Sequence, residues 1–197
     1  MFNLQILPET LITGICILGV ILANNSIVIM AAGGIVIQLL AVIMGKLMMK
    51  CMPGSAKPTS SIDMCQNGFV AKSWSRLLSG TPETLWHPNA PSIFMATITY
   101  FFGYGLAVQT LYSDEIQAGV KQRKFMIVAS SFSAFLILLC MVFRWASGCD
   151  SIFSSTLGAI FGIMVGYLSA IFIGYITNRH ATNIWGIPLL QNRVRVI

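Results

Sequence analysis

Followed position by position, the chain alternates between long apolar runs and short polar breaks. Residues 11–23, 27–45, 92–112, 125–143 and 156–177 are almost entirely apolar, and polar segments at 46–91 and 178–197 carry most of the charge. A helix rises 1.5 Å per residue, so about 20 apolar residues cross a hydrocarbon core of roughly 30 Å. The later four runs meet that length, whereas residues 11–23 alone fall short of it. Two arrangements fit the N-terminal third. Either the chain turns at Asn24–Asn25 into a helical hairpin, or one long helix runs from Pro8 to about Lys46. Asparagine favours turns, and two of them at the bilayer centre would need partners, so the hairpin is the preferred reading. The pattern predicts an all-α, polytopic transmembrane helical bundle with four or five spans in a single membrane domain.

The breaks carry their own signals. Segment 46–91 holds Pro53, Pro58, Pro82, Pro88 and Pro91, which argues against long regular structure. Within it, Asn67–Ser79 has the spacing of a short amphipathic helix, with Trp74 among its apolar positions and Lys72 and Arg76 opposite. Trp74 and Trp86 are expected at the membrane interface, as are Arg144 and Trp145 at the end of the fourth run. The tail adds Arg179, Trp185, Arg193 and Arg195, also read as contacts to headgroups or to other proteins. Asp150 or Ser151 is placed to cap the last helix. Arg144 and Asp150 either pair across that turn or separately face headgroups and water. Residues 1–10 lack the basic start of a signal peptide and are read as retained.

Within the last run, Gly158, Gly162 and Gly166 recur every four residues and share one helical face. Small residues in this register let another backbone approach closely in lipid. The face is expected to pack on its antiparallel neighbour, Phe125–Phe143, or on another chain.

Composition confirms the solvent. Of 197 residues 56% are hydrophobic and 9% charged, with a mean hydropathy of +0.79. Soluble domains carry about 25% charged residues, so this chain cannot cover itself with a wetted surface. The net charge of +6 is spread over loops with no basic stripe, which points to lipid headgroups and away from nucleic acid. The twelve Lys and Arg divide evenly between the two faces of the bundle, so the positive-inside rule assigns no orientation. Of five cysteines, Cys16 and Cys140 lie in apolar runs, while Cys51, Cys65 and Cys149 lie in polar segments where one disulfide can form. Their spacing matches no zinc pattern.

Chemistry is sparse. No predicted span has an ionisable residue in its interior, which argues against proton-coupled transport and intramembrane carboxylate catalysis. His87 and His180 lack further ligands at metal spacing. No catalytic, cofactor-binding or metal-binding residue is assigned, and the chain is not expected to be an enzyme. A lipid-modifying activity through His87 is the weakest alternative. A small channel or transporter for a neutral solute, lined by Asn24, Asn25, Gln109, Ser130, Ser131 and Ser133, is the main one.

The turn and glycine helix together, GCDSIFSSTLGAIFGIMVGYL from Gly148 to Leu168, resemble small multi-span membrane proteins of large icosahedral DNA viruses of algae. The resemblance implies a structural role linking a virion's internal membrane to its capsid layer. The expected partners are membrane lipids and other proteins of a membrane-associated assembly.

Overall fold

The computed structural model describes residues 7–51, 73, 90–118, 120–177 and 182–184. Six helices carry nearly all of them: α1 Leu7–Ile21, α2 Asn25–Cys51, α3 Ile93–Leu111, α4 Ser113–Ala118, α5 Val120–Ala146 and α6 Ile152–Ile176. The protein is an all-α helical membrane bundle. Among the described residues, four helices are long and apolar enough to cross a membrane, over Asn25–Met48, Ile93–Leu111, Arg123–Ala146 and Ile152–Ile176. Trp74, Trp86, Arg179, Trp185, Arg193, Arg195, His87 and His180 lie outside the described residues, as does the amphipathic segment around Trp74 apart from Ser73.

The chain reverses at Leu22–Asn24. Ala23 takes a left-handed φ of 49°, and the Asn24 amide donates to the Gly19 carbonyl at 2.8 Å. The Asn24 side-chain carbonyl then accepts from the Ser26 amide at 3.0 Å, capping the start of α2. Gly19 has no side chain to hold the hairpin open, and a Cβ there would lie 2.9 Å from Val28. At 15 residues α1 rises about 22 Å, less than a full crossing. Ile12 packs beside Gly34, so Glu9, one turn earlier, lies alongside the middle of α2.

Two other boundaries differ from the apolar runs. Helix α2 continues past Lys46 to Cys51, because the Lys46 stem can stay in the apolar layer while its ammonium reaches the headgroups. The polar segment after Leu111 is helical too, as α4 and the first turn of α5, since Ser113–Lys124 contains no helix breaker except Gly119.

Helix α3 is the axis of the bundle. Helix α2 runs antiparallel to it, with Gly33 and Gly34 against Tyr100 and Phe101 and Gly45 near Ala90. Helix α6 runs parallel, its glycines meeting α3 four residues at a time: Gly158 at Ser92, Gly162 at Ala96 and Gly166 at Tyr100. Gly103 returns the contact against the backbone of Ile163. A Cβ at Gly158 would come within 2.9 Å of the Ser92 nitrogen, and one at Gly162 within 2.9 Å of the Ala96 carbonyl carbon. The glycine face therefore packs on α3, not on the 125–143 helix. Its four-residue register meets small or backbone-exposing positions on α3, whereas α5 offers large side chains.

Candidate functional site

Two places in the bundle gather polar groups. The first closes the end where α3 and α6 begin. Helix α5 ends in a Schellman motif, with Gly148 at a φ of 68°, its amide bonded to the Trp145 carbonyl and the Cys149 amide to the Arg144 carbonyl at 3.0 Å. This turn brings Asp150 back onto Arg144. The guanidinium forks onto the carboxylate, Nε to Oδ2 at 2.5 Å and Nη2 to Oδ1 at 3.2 Å. Both side chains are buried, 4% and 7% exposed. The guanidinium also lies 4.4 Å from the ring centroid of Phe94, a cation–π contact.

Asp150 reaches further. Its Oδ2 accepts from the Ser92 hydroxyl at 2.7 Å, while that hydroxyl oxygen accepts from the Met95 amide at 3.3 Å and caps α3. Ser151, not Asp150, caps α6 by accepting from the Ser154 amide at 3.0 Å. The Ser154 hydroxyl donates to the Ala90 carbonyl at 2.6 Å, and the Ser92 amide donates to the Ser154 carbonyl at 3.0 Å. One carboxylate thus ties the end of α5 to the starts of α3 and α6. Arg144 is accordingly not a headgroup contact. Its neighbour Trp145 does point outward, 55% exposed. Cys149 is disulfide-bonded, while Cys16 and Cys140 are free.

The second place is a cavity of about 300 Å³ near the opposite end, between α3 and α5, closed by Leu11, Met30 and Ile184. Its walls are apolar except for Gln109, Ser130 and Ser133, and the Gln109 amide donates to the Ser130 hydroxyl at 2.6 Å. Three of the six neutral polar residues named for a solute path therefore meet here. The other three do not join them: Asn24 and Asn25 form the α1–α2 turn, and Ser131 faces outward on α5. The spacing of Ser130 and Ser133 was legible in the sequence, but their pairing with Gln109 depends on the antiparallel register of α3 and α5.

Between the two places the core is unusually polar for a membrane interior. Tyr100, Tyr104 and Tyr112 are fully buried along α3 at helical spacing. Thr97 and Thr99 return their hydroxyls to the carbonyls of Ile93 and Met95 at 2.8 and 2.7 Å, so neither is left unsatisfied. The Tyr104 hydroxyl, the Gln38 side-chain oxygen and the Ser155 hydroxyl are buried without a hydrogen-bond partner among the described residues. Among the described residues no group of three or more His, Cys, Asp or Glu is placed to hold a metal ion. Comparison with protein-family models, with curated proteins and with solved structures found no match.

Proposed function

We propose that the protein is a structural component of a membrane-bound multi-protein assembly, a fixed helical anchor without catalytic machinery. The observation that carries this reading is the clasp around Asp150. A bidentate buried ion pair, two serine caps and the Cys149 disulfide all fall at the end of the bundle where segment 52–89 rejoins α3. A locked end of the bundle suits an anchor that presents its polar segments to other proteins. The glycine face is consumed inside the bundle, so contacts to partners fall to segment 52–89 and the tail, with Trp74, Trp86, Trp185 and the tail arginines as the contact residues. Trp145 and the apolar surface of α5 meet lipid.

In its narrower form the assembly is a virus particle, and the anchor joins an internal membrane to a capsid layer. This form rests on the resemblance of Gly148–Leu168. Lysine-directed cross-linking in the native membrane, followed by mass spectrometry, tests both forms. The expected result is links from Lys57 or Lys72 to other proteins, and to shell proteins in the narrower form. A strictly monomeric protein with no cross-linked neighbour would refute the assembly role. The Gln109–Ser130 cavity favours a second reading, passage of a neutral solute, which liposome flux measurements check directly.

A further inference from the structure

The cavity between α3 and α5 has the build of a lipid site. We propose that it holds an uncharged, single-chain lipid by its hydroxyl group, with the Gln109 carboxamide as the hook and the apolar walls around the chain. This goes beyond the anchoring role and does not depend on it.

Three observations converge. First, the cavity lies at membrane depth, and Leu136 on its rim is 42% exposed, so its mouth faces acyl chains rather than water. Second, its polar groups are not exhausted. Gln109 spends one N–H on Ser130, but its side-chain oxygen and the Ser133 hydroxyl make no hydrogen bond among the described residues. In an apolar layer an unmet hydrogen-bonding group costs free energy, which a ligand hydroxyl able to donate and accept would recover. Third, Gly105 leaves the space open. Gly103, Gly158, Gly162 and Gly166 each touch a neighbouring backbone, yet a Cβ on Gly105 would meet nothing within 4 Å. Packing does not require this glycine, and its missing side chain is part of the cavity.

The shape selects the ligand. Ile98 to Gln109 on the α3 wall spans about 16 Å of helix rise, with Gln109 near the end of α3 and the apolar residues running inward from it. An amphiphile would enter hydroxyl-outward, in the orientation it already has in a leaflet. No lining residue is ionisable, so neither a carboxylate nor a phosphate headgroup finds a counter-charge. A volume of about 300 Å³ sits at the lower end of the range of roughly 300–1,000 Å³ for ligand pockets, which favours one chain over two.

The test uses the full chain in lipid nanodiscs and a diazirine-bearing octadecan-1-ol as photoprobe, with cross-linked residues located by mass spectrometry. The expected pattern is saturable labelling on the lining residues of Ile98–Gln109 and on Ala129, Ser133, Leu136 and Ile137, competed by octadecan-1-ol but not by octadecane or octadecanoate. Gln109→Leu should weaken competition about tenfold, the equivalent of one lost hydrogen bond. Gly105→Leu should abolish saturable labelling by filling the space, and Gly105→Ala, whose Cβ meets nothing within 4 Å, should weaken labelling while leaving thermal unfolding as in the parent. Labelling spread along the outward residues Phe132, Phe135 and Leu139, equal competition by octadecane, or insensitivity to these variants would each overturn the proposal. Cholesterol displacing the probe better than octadecan-1-ol would overturn the single-chain assignment.

Discussion

Helices α3 and α5 both read as ordinary membrane spans, yet they occupy opposite environments. Of the spanning segments, 61% of α3 is buried inside the protein and only 6% of α5. The less apolar helix is the buried one: α3 carries Thr97, Thr99, Tyr100, Tyr104, Gln109 and Thr110, while α5 shows Phe125, Phe132, Phe135, Leu138 and Phe143 to the outside. In water such an outward face would be an aggregation surface. In a bilayer the acyl chains solvate it, and the interior is where polar side chains find partners. Helix α5 has two buried positions among its described side chains, Met126 and Arg144, and the second belongs to the clasp.

Substitutions at the clasp should break this contrast most. Asp150→Ala would strand the Arg144 charge in a buried setting and cost about 3–5 kcal/mol, measured by reversible unfolding in mixed micelles. Pairing it with Arg144→Met should return much of that loss, because the desolvated charge goes as well. Equal destabilisation of the single and double variants would show that the charge is not what matters there.

Next in size is the contact that makes α3 central. Gly162→Leu forces a side chain into the Ala96 carbonyl and the Thr99 hydroxyl and should cost about 3 kcal/mol, at the upper end for overpacking. Its control is Leu138→Ala on α5, a change of side-chain size at an outward-facing position.

A finer probe is Tyr104→Phe. The hydroxyl is buried with no hydrogen-bond partner among the described residues, so its removal should leave stability unchanged or raise it by up to about 1 kcal/mol. A loss above 1 kcal/mol would place an ordered water or a lipid oxygen on that hydroxyl. The smallest effect belongs to Leu138→Ala, 61% exposed to lipid, which should shift unfolding by no more than about 0.5 kcal/mol. A large shift there would mean that α5 is covered by protein in the native assembly, and the comparison with α3 would then need a second chain.

Much of the architecture was legible along the chain because a helix in lipid satisfies its own backbone, so a long apolar run declares itself locally. Gly158, Gly162 and Gly166 likewise announced a packing face through spacing alone. Their partner was not legible. Sequence proximity favoured the 125–143 helix, but close approach depends on which neighbour presents small side chains and bare backbone, and α3 does so at Ser92, Ala96 and Tyr100. The cavity was half visible for the same reason: Ser130 and Ser133 share a face by helical spacing, whereas Gln109 joins them only through the register of two antiparallel helices.

Residue types by themselves determined that this chain lives in a membrane, that it is helical, and where its turns and caps form, since Asn24, Gly148 and Ser151 act within a few residues of themselves. Tertiary structure alone decided that α3 lies inside and α5 outside, that Arg144 pairs with Asp150 instead of meeting headgroups, and that Glu9 sits beside the middle of α2. Those outcomes depend on side chains far apart in sequence competing for the same neighbours, and lipid solvates every apolar face equally well until packing chooses among them.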